Sequence, residues 1–237
     1  MNDSNGSRAA WAAILALGLL LSSAVLGWSF VAGRTPPGAV RVVGAATVPF
    51  TSDVVKWRVQ LVRTEPNGAE VDGYQRLRED RTRFLTRLDE AGIPAADISV
   101  QPVTTNPVYD REGQITGVQL RQMFLVVSGD VDPVESLALD PGDLLREGLG
   151  LEGSQLEYFY DGIAELKRSL LEQASADARA RAAEIAGEGL GALIDARAGV
   201  FQIREPYSTE VEGYGIYSTG TRAKEITVTV HATYRLR

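Results

Sequence analysis

The chain has 237 residues, 44% of them hydrophobic and 23% charged, with 31 acidic against 24 basic side chains and a net charge of −7. It has no cysteine, which excludes disulfides, thiolate nucleophiles and cysteine metal sites together. Before Arg34 the charges of Asp3 and Arg8 cancel, so the negative balance belongs to the rest, a poor binder of nucleic acid and of anionic lipid surfaces.

The first element in chain order is an uncharged run of 25 residues, Ala9 to Gly33. Its core, Trp11 to Val31, would be roughly 31 Å long as a helix, about the thickness of a bilayer's hydrocarbon region. Trp11 lies at one end and Trp28 and Phe30 near the other, where headgroups favour aromatic rings. The adopted reading is a single-pass signal anchor over 11–31, with Trp11, Leu15, Leu19, Leu20, Val25, Trp28 and Phe30 as anchor residues. A cleaved signal peptide competes with it, because Val31-Ala32-Gly33 resembles a cleavage site, although the apolar stretch exceeds the usual 7–15 residues. A buried core helix is the third reading; nothing polar marks an outer face. Residues 1–10 form a short tail, 32–39 a linker stiffened by Pro36 and Pro37, and 40–237 one domain. Charge does not orient the helix: Arg8 with the terminal amine faces Arg34 and Arg41.

Within the domain, Val40 to Thr47 reads as a strand, and Val55, Trp57, Val59 and Leu61 alternate with polar residues as a second. A helix follows over about 69–91. Tyr74, Leu77, Arg81, Phe84, Leu85 and Leu88 form its stripe, while Arg76 with Asp80 and Glu79 with Arg83 stand as surface pairs. Gly92 and Pro94 stop it. Strands near 98–108 and 117–128 flank a Tyr-Asp-Arg-Glu-Gly turn. A helical stretch over about 133–148 is interrupted at Pro141-Gly142. A short strand at 156–160, a long alanine-rich helix at 162–186 and a strand at 195–204 come next. The last strand has the clearest period of two, with Ile226, Val228, Val230, Ala232, Tyr234 and Leu236 on one side. This order predicts an α+β fold: an N-terminal transmembrane helix, then an antiparallel or mixed sheet covered by helices. Strand–helix–strand–strand recurs over 53–129 and 154–237, suggesting two similar halves.

Several segments together carry a resemblance: Val42-Val-Gly-Ala-Ala46, a strand near Asp53, Leu88-Asp-Glu-Ala-Gly-Ile93, Ala96-Asp-Ile-Ser-Val-Gln-Pro102 with Tyr109, the helix from Ala174 to Ala186, and Ala198-Gly-Val-Phe-Gln-Ile203. In this order the chain resembles the SIMPL-domain family of secreted and periplasmic proteins. The resemblance implies an extracytoplasmic α+β domain of the bacterial envelope, often self-associating, and brings no catalytic residue with it. Asp140-Pro-Gly-Asp143 and the tyrosine- and glycine-rich loop depart from the family's pattern.

Chemistry-bearing residues are sparse. His231 is the only histidine and falls on the polar face of the last strand, so a surface role outweighs a Ser/His/Asp base. Asp130, Asp132, Glu135, Asp140 and Asp143 form the densest acidic cluster, without EF-hand spacing; helix capping accounts for it as well as calcium does. No phosphate-loop pattern accompanies Gly148-Leu-Gly150 or Gly187-Glu-Gly189. The expectation is no cofactor, no metal and no catalytic set. Packing on its own sheet is the default for the alanine-rich helix. The loop at 206–220, with Tyr207, Tyr214 and Tyr217, is the candidate interaction surface, because tyrosine is favoured at interfaces. The functional expectation is a non-enzymatic, membrane-anchored envelope protein acting through self-assembly or an envelope protein partner. A carboxylate-dependent hydrolase and a ligand-binding sensor module are the alternatives.

Overall fold

The computed structural model describes residues 4–34 and 38–237, with side chains from 15–30 and 38–237. Five α-helices and eight strands run through the described residues: α1 (Ser4–Arg34), β1 (Ala39–Thr51), β2 (Val54–Pro66), α2 (Glu70–Glu90), β3 (Ile98–Tyr109), β4 (Ile115–Ser128), α3 (Val131–Leu139), α4 (Gly142–Arg146), β5 (Leu151–Phe159), α5 (Ile163–Ala186), β6 (Leu190–Ala198), β7 (Gln202–Arg204) and β8 (Ala223–Leu236). The strands form two sheets, ordered β3-β4-β2-β5 and β1-β8-β6, with β7 also paired to β8. The α+β class is as expected from the sequence.

Along α1, Leu15, Leu19, Leu20, Val25, Trp28 and Phe30 are exposed, and the side chain of Trp11 lies outside the described residues. Among the described residues no helix is long and apolar enough to cross a membrane, so the structure gives the spanning helix expected at 11–31 no support.

The backbone divides into two compact units. Unit 1 is Met1–Ala45, Gln173–Gly199 and Thr229–Arg237; unit 2 is Ala46–Glu172 and Val200–Val228. The predicted halves at 53–129 and 154–237 do not map onto them. β5 pairs antiparallel with β2, from Val54 opposite Phe159 to Leu61 opposite Leu151, and so joins the sheet of the first half.

Unit 2 is built on large side chains. Val55, Trp57, Val59 and Leu61 of β2 are fully buried, as their alternation requires. Phe84 of α2 meets Trp57 and Phe124 edge-on, with ring centroids 5.8 and 4.9 Å apart. The surface pairs expected on α2 do not form. Asp80 is buried, because it falls one turn from Leu77 and Phe84 on the helix face that meets the sheet. Its carboxylate is held by Arg63 of β2 and by Arg83. Arg76 turns instead to Glu65, at 2.9 Å. The helix expected over 133–148 becomes α3 and α4, broken at Asp140 and Pro141.

Unit 1 is thin. Ala178 and Ala182 of α5 pack on Val40, Val42, Ala232 and Tyr234, and Ala174 is also fully buried. A side chain at Gly44 has no room: an added Cβ would lie 2.3 Å from both the Ala174 carbonyl oxygen and the Ala178 nitrogen. The neighbouring Ala45 N–H donates to the Asp177 carboxylate at 2.8 Å. That bond, helped by Arg181, holds Asp177 below the usual carboxylate range. The predicted strand 195–204 divides into β6 and β7 around Gly199, where a Cβ would come 2.6 Å from the Thr229 hydroxyl.

Two outcomes follow for stability, each measured by urea denaturation. Gly44→Ala lowers stability by about 1–3 kcal/mol, because the neighbours of its Cβ are backbone atoms. Asp80→Ala lowers it by about 2–3 kcal/mol through lost charge-assisted hydrogen bonds.

Candidate functional site

In unit 2 the loop between β7 and β8 carries the two most exposed tyrosines, Tyr207 and Tyr214. Its root is tightly bonded. Ile203 N–H donates to Ile216 O at 2.8 Å, Ser218 N–H to Ile203 O at 2.9 Å, and Tyr158 N–H to Thr219 O at 2.9 Å. The Gln202 side chain donates to Glu212 O at 2.7 Å and accepts from Ile216 N–H at 3.2 Å. On this frame Tyr207 and Tyr214 are 97% and 101% exposed. Tyr207 has φ +66°, in a region bulky residues rarely occupy. Tyr217, 40% exposed, belongs to the root: its ring lies 6.0 Å from that of Phe159. Of the three tyrosines expected as an interaction surface, two present their rings and the third fastens the loop.

Beneath the root lies Lys224, 1% exposed. Its ammonium donates to the Tyr158 carbonyl and sits 5.4 Å from the centre of the Tyr217 ring. Burial lowers its pKa to about 8, and the nearby Glu205 carboxylate opposes that fall only in part. Glu205 is held below its ordinary value mainly by the Ser218 hydroxyl. The sequence reading missed Lys224, yet the alternation of the last strand carried back two positions from Ile226 points it inward. The Tyr158 hydroxyl donates to Glu135 at 2.6 Å; burial first, then this bond, raises its pKa to about 12.

The residues that could carry catalytic chemistry elsewhere in the chain are dispersed. In unit 1, His231 is exposed on the open face of its sheet, opposite Arg197. It shares a shallow depression of about 530 Å³ with Arg41, Asp195 and Thr233, and no serine lines it. In unit 2, Asp132 and Glu135 bind Arg222, Asp143 binds Arg146, and Asp140 accepts from Gly142 N–H at 3.3 Å. Among the described residues no three His, Cys, Asp or Glu side chains converge as a metal site. The two buried carboxylates there, Glu65 and Asp80, are each bound by arginine rather than by another acid.

The two antiparallel sheets and the helices define an α+β fold, and in unit 2 the loop between β7 and β8 exposes Tyr207 and Tyr214. The family model SIMPL, described as a protein of unknown function (DUF541), matches residues 40–234. The chain belongs to that family, as the ordered segments in its sequence suggested. No curated protein matches it.

A pH series tests the buried ammonium. Lys224 binds a proton less tightly folded than unfolded, so between about pH 8 and 10 the unfolded chain holds more protons and stability rises with pH. Below pH 8 the cost of the buried charge is fully present. Above pH 10 the raised pKa of Tyr158 acts in the opposite sense. The urea midpoint of the wild type rises across pH 8–10 relative to that of Lys224→Met.

Proposed function

We propose that this protein is an extracytoplasmic component of the cell envelope, tethered to the membrane by its N-terminal segment and acting without catalysis, through self-assembly and contact with envelope proteins. The observation that carries this reading is the loop with Tyr207 and Tyr214 exposed on a rigid root. A well-bonded frame lowers the ordering cost of binding, and tyrosine presents much contact area with few rotatable bonds. The tether is supported by the uncharged run Ala9 to Gly33 and by the exposed apolar side chains of α1. Family membership supports the outside location. The non-enzymatic reading is supported by the two buried carboxylates of unit 2, Glu65 and Asp80, each of which is engaged with arginine.

The test uses the full-length chain in intact cells. With a photo-crosslinking amino acid at position 207 or 214, irradiation gives adducts of defined mass that are absent when the same group replaces exposed Glu79. Protease added outside the cells digests the domain, and alkaline carbonate leaves the chain with the membranes. Adducts no stronger than those at position 79 overturn the loop as a contact. Release by carbonate overturns the tether.

A further inference from the structure

β6 is an open edge. On one side it pairs antiparallel with β8, Asp195 opposite Thr233, Ala196 opposite Ala232, Arg197 opposite His231 and Ala198 opposite Val230. Among the described residues no strand pairs with its other side. Proteins usually guard such edges with proline, lysine or a covering element. In unit 2 the edge strand β3 carries Pro102 and Pro107, and β1 carries Pro49. β6, Leu-Gly-Ala-Leu-Ile-Asp-Ala-Arg-Ala, has neither proline nor lysine, and its Leu193 and Ile194 are 52% and 50% exposed.

The direction of its free backbone groups follows from one bond. Gly199 N–H donates to Thr229 O at 2.8 Å, so residue 199 faces β8. In an antiparallel ladder the facing alternates. Arg197 and Asp195 therefore also direct N–H and C=O toward β8, and Ala198 and Ala196 direct theirs outward. Asp195 and Arg197 share one sheet face, the face of His231 and Thr233.

We propose that a second copy of this chain pairs with β6 through this edge, as an antiparallel two-fold ladder centred on Ala196. The proposal rests on the self-assembly reading above and names its surface. Charge selects the register. A two-fold axis at Ala196 lets that residue exchange N–H···O bonds with its counterpart and sets Asp195 opposite the partner's Arg197, twice by symmetry. An axis at residue 195 or 197 would oppose like charges. An axis at 198 would set Arg197 against a glycine. Within one copy the Asp195–Arg197 contact is long, 3.3 Å, with the side chains 55% and 81% exposed, so little is lost when each turns to the partner.

The absence of cysteine makes the test direct. Ala196→Cys places the sole thiol of each copy on the axis, where hydrogen-bonded strand partners lie about 5.5 Å apart between Cα atoms, within disulfide range. In the full-length chain in detergent, mild oxidation joins Ala196→Cys into a covalent dimer at least tenfold faster than Glu184→Cys, an exposed control on α5. Asp195→Arg or Arg197→Asp alone raises the dimer dissociation constant at least tenfold, and the double exchange restores it; unchanged circular dichroism shows that each variant folds. If light scattering finds a dimer but Ala196→Cys crosslinks no faster than the control, this interface is wrong while self-assembly stands. If the wild type is monomeric at 100 µM, both fall. Single charge reversals without effect overturn the register.

Discussion

Unit 1 depends on the near-contact of a helix with a strand backbone. Gly44 offers no side chain, and Ala174, Ala178 and Ala182 offer only methyl groups at four-residue intervals. Small residues bury little apolar area, so the hydrophobic gain per residue is modest. What they permit is close approach, with many weak dispersion contacts and a hydrogen bond from the Ala45 amide to the Asp177 carboxylate. On the other face of the sheet Arg41, His231 and Arg197 are exposed, and β6 stands at the sheet's edge.

Unit 2 solves the same packing problem by other means. Trp57, Phe84 and Phe124 fill the space between helix and sheet, and the buried charges are matched with opposite charges or carbonyls. The Asp80 carboxylate is gripped by two guanidiniums, those of Arg63 and Arg83, within the packed interior of the unit. Lys224 differs: it fastens the loop root to β5 while remaining charged at neutral pH, at a cost set by its burial.

The sequence made the elements legible where one period persisted. The alternation of the last strand and, on α2, Leu77, Phe84 and Leu88 predicted the buried side, because a repeating side-chain period is a local property of the chain; Tyr74 of the same stripe is 50% exposed, and of the alanines of α5 Ala174, Ala178 and Ala182 are the fully buried ones. Pairing across distance was not legible. The recurring strand–helix–strand order was legible, as β2-α2-β3-β4 and β5-α5-β6-β8 show, but nothing local shows that β5 adds to β2, so the sheets and compact units do not follow the halves. Asp80 was read as a surface charge because its partner Arg63 lies on another strand. The loop was legible by composition, but the distinction between Tyr217 at the root and Tyr207 and Tyr214 at the tip needed the bonds that fix it. The edge of β6 was invisible, since an unpaired edge is a property of sheet order.

The two proposed contacts differ in symmetry, and that difference governs what each can build. A two-fold ladder at β6 uses the same surface on both copies and is saturated at two. The loop contact joins this chain to a different surface, so every copy keeps its own loop available. A pair joined at β6 would therefore carry two loops. Such a pair gains from effective concentration wherever two binding sites lie within reach, even if one loop alone binds weakly. The proposed membrane tether would act in the same direction, by confining the copies to a surface. In this way the two proposed contacts would give specificity through their number and geometry.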